Sequence, residues 1–472
     1  MSSCGPGYVT PQDAIKEGPR EKLLYVVTVQ PNPEDPQGDY LSTVDVDPES
    51  PTFCQVIHRT FTNRPGDELH HFGWNTCSSC CKKGADMKCL PKRDKLILPC
   101  LTGDSIYVMS TEKPRAPELV KVIDGEEMRK LDCCAPHTSH CLADGSIMIS
   151  TLGDAAGNAK GDFVTLDSNF NLTGTWTRGE KKAAAGYDFW YQPYFDVMVS
   201  SEWGAPKLFR HGFHDMHLKD YGTCLNFYRW STHELLYSTD LGEEAAAPLE
   251  IRFLHNPKQA QGFVGCAVFA KVFRFHKPDN GEKFIVEKVI DVPAKTLSNG
   301  QKIQGLMTDI LISMDDRFLY FSNWMHGDVR QYDISDPTKP KLTAQVFLNG
   351  AIVSDSGVVV TKDEELDKQP DPVIIKGRRL EGGPQMLQLS LDGKRLYVST
   401  SLYSPWDKQF YPKMVKAGGT IVQLDVDTVN GGMTVNPNFL VDFGKEPNGP
   451  TLPHEMRYPG GDCTSDIFLA QD

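Results

Sequence analysis

Short runs of alternating apolar and polar residues, rich in β-branched and aromatic side chains, recur along the whole chain between Gly, Pro, Asp and Asn residues. This pattern is typical of β-strands separated by tight turns. Helical periodicity is nearly absent, so we expect an all-β protein. The clearest predicted strands span residues 23–29, 40–46, 96–109, 146–151, 196–201, 263–275, 317–322, 395–400 and 420–426.

A turn followed by an alternating strand repeats in the sequence. The three clearest copies begin at Asp144, Asp315 and Asp392. Repeats of this kind are the signature of a β-propeller, in which each blade is one such unit. A second regularity sets the number of blades, because polar or histidine-bearing segments recur with a mean spacing of about 64 residues. These segments are marked by His70, His137, Glu202, His255, His326, Met386 and His454.

Seven units of this length fill almost the whole chain, whereas six or eight fit the spacing less well. Four short strands with their turns need only about 40 residues, so each unit must carry long loops. We therefore predict a single domain over residues 1–472, a seven-bladed β-propeller with long inserted loops, in which residues 1–20 form an irregular arm. Equivalent points of all blades face the central channel, which would bring the marked segments to a common axis.

Charge and composition exclude several partners. The chain has 62 acidic against 49 basic residues and a net charge of −13, so we expect no nucleic-acid partner and no attraction to an anionic membrane surface. No apolar run approaches the ~20 residues of a membrane span, and no secretion signal is recognisable at the N-terminus. The 13 cysteines are odd in number and sparse, which predicts reduced thiols and a cytosolic protein.

Histidine is the most obvious candidate for chemistry, because imidazole binds copper, zinc, iron and nickel. Adjacent residues on a strand point to opposite faces, so both members of the His70-His71 pair can bind one ion only if the chain bends there. Carboxylates near these histidines could act as bases or orient an imidazole, and Glu202 and Glu455 are the candidate bases. The candidate metal ligands are His70, His71, His137, His140, His326 and His454.

Cysteines form a second candidate group. Cys77 and Cys80 have the spacing of a zinc clamp or a redox pair, within a cysteine-rich loop over residues 77–100. A zinc site needs a second closely spaced pair of cysteines, and none follows in the sequence. The alternative is a flexible loop that carries thiols without a metal ion. The three closely spaced histidines His211, His214 and His217 lie in a polar stretch that we interpret as surface. Motifs of serine hydrolases, kinases and NAD enzymes are absent from the sequence.

Several long segments of unusual composition are spread over the whole chain. They include Tyr40-Leu-Ser-Thr-Val-Asp-Val-Asp-Pro48, Cys54-Gln-Val-Ile-His-Arg59, Asp67-Glu-Leu-His-His71, Gly73-Trp-Asn-Thr-Cys-Ser-Ser-Cys80, His137-Thr-Ser-His-Cys141, Gly186-Tyr-Asp-Phe-Trp-Tyr-Gln-Pro193, Leu249-Glu-Ile-Arg-Phe-Leu-His-Asn-Pro257 and Tyr458-Pro-Gly-Gly-Asp-Cys463. In these segments the chain resembles the selenium-binding protein family, the eukaryotic methanethiol oxidases. The resemblance runs almost end to end, and two segments depart from it, the basic loop 81–94 and the histidine-rich segment 210–218.

The resemblance implies a β-propeller that holds selenium at Cys54 and uses copper to oxidise methanethiol with O₂ and water to formaldehyde, hydrogen sulfide and hydrogen peroxide. It also implies cytosolic, nuclear and peripheral membrane locations, a part in Golgi transport, and protein partners in transport or redox regulation. Cys54 shares a predicted strand face with Val56 and His58, so a buried structural thiol is the alternative there.

Two other functions compete with an oxidase. One is a propeller that binds selenium or thiols and serves intracellular (Golgi) transport without catalysis. The other is a divalent-metal lactonase, which would need a carboxylate-rich channel instead of imidazoles. We expect imidazoles from distant blades to meet around one ion, because the hypothesis of a copper site depends on that meeting.

Overall fold

Short antiparallel strands dominate the computed structural model of the chain, which describes residues 5–81, 91–279 and 281–470. The strands of the first half are β1 (Leu23–Val29), β2 (Tyr40–Asp45), β3 (Gln55–Phe61), β4 (Gly73–Trp74), β5 (Lys95–Pro99), β6 (Ile106–Ser110), β7 (Glu118–Ile123), β8 (Cys134–Cys141), β9 (Ile147–Gly153), β10 (Ala159–Leu166), β11 (Leu172–Thr175), β12 (Phe189–Gln192), β13 (Val197–Ser200), β14 (Cys224–Arg229) and β15 (Glu234–Asp240).

The second half continues in the same way. Its strands are β16 (Pro248–Phe253), β17 (Gln261–Cys266), β18 (Lys271–His276), β19 (Ile285–Asp291), β20 (Lys295–Leu297), β21 (Lys302–Ile303), β22 (Met307–Ile312), β23 (Phe318–Asn323), β24 (Asp328–Asp333), β25 (Lys341–Phe347), β26 (Val360–Lys362), β27 (Ile374–Ile375), β28 (Arg378–Arg379), β29 (Leu387–Leu389), β30 (Arg395–Ser399), β31 (Thr420–Val426), β32 (Met433–Asp442) and β33 (Leu452–Arg457).

Seven four-stranded antiparallel sheets form within the described residues, and they are the predicted seven blades. Six are simple meanders of consecutive strands, for example β4-β5-β6-β7 and β8-β9-β10-β11. The seventh has the order β3-β2-β1-β33, so it joins both ends of the chain. In it Tyr25 pairs with Arg457 and Val26 with Met456. This pairing closes the ring and leaves the propeller without open ends.

The innermost strands β4, β8, β12, β16, β22, β29 and β33 surround the channel. Neighbouring members of this set contact each other, as β4 contacts β8 and β16 contacts β22. Strands next to them are packed between two blades, and all seven residues of β1 are buried. Burial on both faces explains why such strands are continuously apolar in sequence instead of strictly alternating.

Two predicted strands are in fact hairpins. Residues 96–109 form β5 and β6 with a turn between them, and residues 263–275 form β17 and β18. The turns contain Asp104 and Ala270, both with positive φ (65° and 51°), a conformation that breaks an extended strand. The sequence pattern missed these turns because both carry apolar neighbours.

The arm before β1 is not wholly irregular, which corrects the prediction for residues 1–20. Helix α1 (Pro11–Glu17) begins after Thr10, whose side chain accepts a hydrogen bond from the backbone N–H of Asp13, while the Asp13 carboxylate accepts one from the backbone N–H of Thr10. This capping box, with proline at the first position, starts a helix too short to show periodicity. No helix in the described residues is long and apolar enough to cross a membrane.

The predicted long loops carry structure of their own. Two small sheets, β20-β21-β26 and β27-β28, lie outside the blades. The remaining helices are α2 (Gly125–Lys130), α3 (Pro206–Phe209), α4 (Ser404–Phe410) and α5 (Pro412–Ala417), with 3₁₀ turns at Ser78–Cys80, Pro193–Phe195, Asp215–Asp220, Glu243–Ala245 and Phe443–Lys445. Helices α3 and α4 contact each other, because the Trp406 indole N–H donates to the Phe209 carbonyl at 3.1 Å.

Candidate metal centre

Four imidazoles meet at one end of the channel, from three different blades. His70 and His71 precede β4, His137 lies on β8, and His454 lies on β33. All four are buried, with at most 4% of each side chain exposed. The ring centroids of His70 and His454 are 4.0 Å apart and those of His71 and His137 are 4.1 Å apart. Distant parts of the chain therefore converge on one cluster, as the blade spacing predicts.

Three of these residues have the geometry of a ligand set. One ring nitrogen of each of His70, His71 and His137 lies within 4.8 Å of the corresponding atoms of the other two. His454 stacks on His70 and lies 5.3 Å from His71, measured between ring centroids. The four imidazoles are hereafter the histidine cluster.

Both adjacent histidines reach the cluster because the backbone bends before β4. Glu68 has a positive φ of 51°, and β4 begins only at Gly73, so the strict alternation of a strand does not apply to His70 and His71. Their ring planes stand at 74° to each other. Gly73 lets the chain pass close to β8, since a Cβ there would lie 2.4 Å from the Ser139 carbonyl oxygen.

Hydrogen bonds fix which nitrogen each ring presents. His454 Nδ1 lies 2.8 Å from the Ser401 carbonyl oxygen, which can only accept, so Nδ1 carries the proton and Nε2 keeps its lone pair. His71 Nδ1 lies 3.1 Å from Glu455 Oε1, which holds that ring in the same tautomer. His137 Nδ1 is 3.0 Å from the Thr138 hydroxyl. The Nε2 atoms of His137 and His454 are buried and have no hydrogen-bond partner.

Burial keeps the cluster uncharged. Desolvation lowers the pKa of His71 and of His454 to about 3, and the pKa values of His70 and His137 also fall well below the ordinary value. Repulsion between neighbouring imidazoles acts in the same direction at His70 and His137. Neutral imidazoles with buried, unpartnered nitrogens are the form that binds a metal ion. Buried nitrogens without partners are costly in a protein, and a bound ion would satisfy them.

A layer of buried charges adjoins the cluster. Arg457 donates to Glu455 Oε1 at 2.7 Å, and the backbone N–H of Phe72 donates to Glu455 Oε2, so both carboxylate oxygens are engaged. Arg252 bridges Asp188 and Glu250, each at 2.9 Å. Sequence reasoning missed Arg252 and Glu250 because it took His255, five residues further on, as the marker of that blade.

Glu250 is the acidic residue of this layer that faces the cluster most directly after Glu455. Its Oε1 lies 3.8 Å from His71 Nε2 and has no hydrogen-bond partner. Desolvation, aided by the nearby Asp188 carboxylate, raises the pKa of Glu250 well above its ordinary value. Asp188 keeps its charge because Arg252 lowers its pKa against the effect of burial. The sequence pattern that could have identified this layer is Glu-x-Arg, which occurs at residues 250–252 and again at 455–457.

A small apolar cavity of about 30 Å³ opens beside His70. Apart from the His70 imidazole its walls are aliphatic and aromatic, formed by Leu101, Leu152, Tyr187, Trp203, Phe209, Leu402, Tyr403 and Trp406. The loop that contains Tyr403 is anchored over the cavity, because the backbone N–H and hydroxyl of Ser404 both donate to the Glu68 carboxylate at 2.6 Å. A cavity needs about 10–15 Å³ on this measure to hold one water molecule, so this one has room for a very small ligand.

Two predicted ligands lie outside the histidine cluster. His140, on β8, packs against Phe189 and Trp190, and its buried Nε2 has no hydrogen-bond partner. His326 lies in the turn after β23, with Nε2 3.1 Å from the Ile303 carbonyl oxygen. The structure therefore brings four of the six predicted histidines together.

The two predicted bases differ in position. Glu455 contacts the histidine cluster through His71. Glu202 follows β13 and accepts a hydrogen bond from the Asn226 amide on β14 at 3.1 Å, in the second half of its blade. Burial raises the pKa of both carboxyls.

Cys54 lies away from the histidine cluster, before the outermost strand β3 of its blade. It is in a turn with a φ of 65°, not on the strand, so the predicted shared face with Val56 and His58 is wrong. Its Sγ is half-buried and lies 3.9 Å from the Asn438 carbonyl oxygen. Burial raises the pKa of this thiol.

The surface interpretation of the separate histidine group is confirmed, since His211 and His214 are exposed and His217 is half-buried.

The fold and the site together define a seven-bladed β-propeller with a buried, metal-competent imidazole cluster at one end of its channel. A family model described as the 56 kDa selenium binding protein (SBP56) matches residues 2–469. The chain belongs to this selenium-binding protein family, which confirms the resemblance seen in the sequence.

Relatives match over the full length. A methanethiol oxidase from Xenopus tropicalis is 55% identical over 474 residues, and selenium-binding protein 2 from Mus musculus is 54% identical over 475 residues; each alignment covers 99% of both chains. A solved structure of a hypothetical selenium-binding protein from Sulfolobus tokodaii has 36% identity and a TM-score of 0.86, covering 98% of this chain and 99% of that one. A periplasmic gluconolactonase from Pseudomonas aeruginosa has 10% identity and a TM-score of 0.56, covering 93% and 98%, a likeness of fold alone.

Proposed function

We propose that this chain oxidises methanethiol with O₂ and water to formaldehyde, hydrogen sulfide and hydrogen peroxide, with copper as its cofactor. The observation that carries the proposal is the meeting of four buried, neutral imidazoles beside a small, mostly apolar cavity. The full-length relative from Xenopus tropicalis that bears the name methanethiol oxidase supports the same reaction.

The histidine cluster suits copper by its donor chemistry. His70, His71 and His137 would hold the ion, with His454 completing the set through its unpartnered Nε2. Imidazole is a good ligand for copper, and a carboxylate-rich site of the lactonase kind would favour harder ions. When bound, copper supplies the one-electron chemistry with O₂ that amino-acid side chains lack.

The protein's own residues place the substrate and exclude water. Methanethiol has two non-hydrogen atoms, so it matches a cavity of about 30 Å³ whose wall is apolar except at His70. Its methyl group would contact Leu152 and the aromatic rings, while its sulfur would face His70. Larger thiols would clash with the same walls, which are buried and tightly packed.

Glu455 orients the cluster in this proposal. Its carboxylate accepts a hydrogen bond from His71 Nδ1–H, and it also accepts hydrogen bonds from Arg457 and from the backbone N–H of Phe72. A carboxylate partner of this kind fixes the tautomer of an imidazole and makes the other nitrogen a better ligand. Of the two bases predicted from the sequence, only Glu455 is retained, and it acts through His71.

Selenium binding at Cys54 is a separate part of the proposal, supported by the name of the family. The thiol is half-buried in a strained turn at the outer edge of its blade, far along the blade from the inner strands that carry the histidines. Selenium uptake and methanethiol oxidation would therefore be independent.

The location and the partners of the chain stay predictions from the resemblance. The predicted locations are cytosolic, nuclear and peripheral membrane, and the predicted partners act in transport or redox regulation.

The decisive experiment measures copper and products together. The full-length chain is loaded with copper, its metal content is determined by mass spectrometry, and hydrogen sulfide release from methanethiol is followed under O₂. We expect bound copper and turnover in the native chain, and loss of both in His454→Ala. His326→Ala, a buried histidine in another blade, is the matched control and should retain both.

A result in favour of the non-catalytic alternative is equally clear. Copper-free protein that takes up selenite but releases no hydrogen sulfide, even after copper loading, would contradict the oxidase. For selenium itself, Cys54→Ser should abolish selenium retention after incubation with selenite. Cys224→Ser removes the other half-buried thiol of the described chain and should leave retention unchanged.

A further inference from the structure

Three buried thiols meet at the far end of the same strands that carry the histidines. Cys77 immediately precedes the 3₁₀ turn that follows β4, Cys80 is the last residue of that turn, and Cys141 is the last residue of β8. All three side chains are buried, and the most exposed of them, Cys80, is 5% exposed. The sequence showed only the Cys77-x-x-Cys80 spacing, whereas the third thiol comes from the next blade. These three residues are hereafter the thiol cluster.

Cys141 lies at the centre of the thiol cluster. Its Sγ lies 2.7 Å from Cys77 Sγ, closer than two sulfur atoms in ordinary contact and longer than the S–S bond of about 2.05 Å. Cys141 is also hydrogen-bonded to Cys80. The Ser79 hydroxyl completes the group, at 3.2 Å from Cys77 Sγ and 3.7 Å from Cys141 Sγ. Cys141 can therefore pair with either partner after a small movement.

The thiols are held in place by their surroundings. Both the backbone N–H and the hydroxyl of Ser78 donate to Asp466, which also pairs with the buried Arg93. The Tyr191 hydroxyl donates to the Cys141 carbonyl. These contacts fix the turn that carries Cys77 and Cys80 against the end of β8.

Neighbouring groups separate the thiols by acidity. The hydrogen bond from Cys141, together with those from Thr76, the Cys77 backbone and Ser79, lowers the pKa of Cys80 to about 6 despite burial. Burial raises the pKa of Cys141 well above its ordinary value, and it raises that of the adjacent Cys81 to about 12. Cys80 is thus the more acidic thiol of this hydrogen-bonded pair, and Cys141 is the proton donor beside it.

We propose that the thiol cluster is a peroxide-reactive dithiol site, in which Cys80 attacks hydrogen peroxide and Cys141 forms a disulfide with it or, after exchange, with Cys77. This site is distinct from the histidine cluster and from Cys54, and it does not depend on the oxidase activity. Its substrate is a hydroperoxide of water-like size, because the sulfur atoms are almost fully buried.

The chemistry balances without any further oxidant. The Cys80 thiolate attacks one peroxide oxygen, the O–O bond breaks, and the departing hydroxide takes a proton to become water, which leaves a sulfenic acid on Cys80. The Cys141 thiol then attacks the Cys80 sulfur, and the S–O bond breaks to release a second water. Two thiols are oxidised to one disulfide while one peroxide is reduced to two waters.

Exchange within the cluster would then move the disulfide. Cys77 can attack the Cys141 sulfur at 2.7 Å, and Cys80 departs, because the hydrogen bonds that lower its pKa make it a good leaving thiol. The final disulfide would join the turn after β4 to the end of β8. It would link two neighbouring blades covalently at the channel end opposite the histidine cluster.

The test uses the full-length native chain and hydrogen peroxide. After exposure to one equivalent of peroxide, free thiols are blocked and the cysteine-containing peptides are mapped by mass spectrometry. We expect one intramolecular disulfide that joins Cys141 to Cys77 or Cys80. If all three thiols remain reduced, or if the disulfide forms between other cysteines, the proposal is overturned. The same holds if a tightly bound zinc ion proves to occupy the thiols and protect them.

Variants assign the roles. Cys141→Ser should abolish the disulfide and leave a sulfenic acid at Cys80 that a dimedone probe labels, whereas Cys80→Ser should slow thiol oxidation at least tenfold. Cys266→Ala removes a fully buried thiol on β17 and is the matched control, expected to oxidise like the native chain. An unchanged oxidation rate in Cys80→Ser would remove Cys80 from the mechanism. The mapping on the native chain decides the proposal even if a variant fails to fold.

Discussion

The two ends of strands β4 and β8 hold buried clusters of opposite character. At one end His71 and His137 contribute imidazoles, and at the other Cys77, Cys80 and Cys141 contribute thiols. Burial alone makes an imidazole a better ligand, because it removes the proton and leaves a lone pair. Burial alone makes a thiol less reactive, because it disfavours the thiolate. Cys80 becomes reactive only through the hydrogen bonds that its neighbours donate.

Desolvation therefore makes the histidine cluster fit to bind a metal ion, whereas hydrogen bonding makes the thiol cluster reactive. His137 and Cys141 are four residues apart on β8, a separation of about 13 Å along a strand. The clusters share strands but no side chains, so variants at one end should leave the chemistry of the other unchanged. A substitution at His137 tests that independence directly.

The largest expected effect is loss of copper in His137→Ala. This change removes a ligand whose Nε2 is buried and without a hydrogen-bond partner, so we expect copper affinity to fall by more than about a hundredfold. Competition with a copper chelator measures the affinity. His140→Ala, on the same strand, is the control and should bind copper as the native chain does. Unchanged affinity in His137→Ala would exclude this histidine from the site, and a changed peroxide reaction at Cys80 would contradict the independence of the two ends.

The sequence was sufficient to predict the blades and most of the histidine cluster. A propeller repeats one unit, so markers spaced by one blade length come to the same axis, and His70, His137 and His454 are such markers. The same argument failed for His326, because its segment is a turn after β23 instead of an inner strand. It also failed for Glu250 and Arg252, because the marker of that blade, His255, follows the inner strand β16 that carries them.

Only the Cys77–Cys80 pair of the thiol cluster was recognised in the sequence, and its third member was missed. Cys77 and Cys141 are 64 residues apart, about one blade length, which is the same spacing that relates the histidine markers. The sequence pattern Cys77-x-x-Cys80 drew attention to a local pair, whereas the closest sulfur contact is between neighbouring blades. A search for cysteines one blade apart would have found it.

A smaller effect is expected from Glu455→Gln, which tests how the histidine cluster is oriented. The amide can still accept from His71 Nδ1 but carries no charge, so we expect copper affinity to fall about 10- to 100-fold. The variant also removes the nearer of two carboxylates from the buried Arg457 and leaves Asp462 at 3.8 Å, which should lower thermal stability.

Glu202→Gln is the matched control for this change, because that carboxyl is also buried but is bound to Asn226 in another part of its blade. It should retain the native copper affinity. A Glu455→Gln protein that binds copper normally and is only less stable would show that Glu455 serves the fold and not the metal site.

The pH dependence of the peroxide reaction should be moderate in size and confined to the thiol cluster. The pKa of Cys80 is about 6, so the thiolate predominates above this pH and is lost as the pH falls through it. Below pH 6 we expect the rate of disulfide formation to decrease about tenfold per pH unit, with a plateau above pH 7. Stopped samples mapped for the Cys141 disulfide measure the rate. A rate that rises steadily up to pH 9 would indicate an ordinary thiol and would remove the proposed activation by Cys141.

The smallest effect should come from the wall of the apolar cavity, in Leu152→Ala. The shorter side chain leaves space for about one or two more methylene groups, so the rate with ethanethiol relative to methanethiol should rise by at most about tenfold.

Replacing any fully buried leucine by alanine also lowers the stability of the fold by about 2–5 kcal/mol. Leu396→Ala, buried on β30 and away from the cavity, is therefore the control for stability. It should be destabilised to a similar degree with no change in the ratio of the two thiols. If both variants change the ratio of the ethanethiol and methanethiol rates equally, the cavity does not select the substrate. The substrate would then reach the histidine cluster by another route.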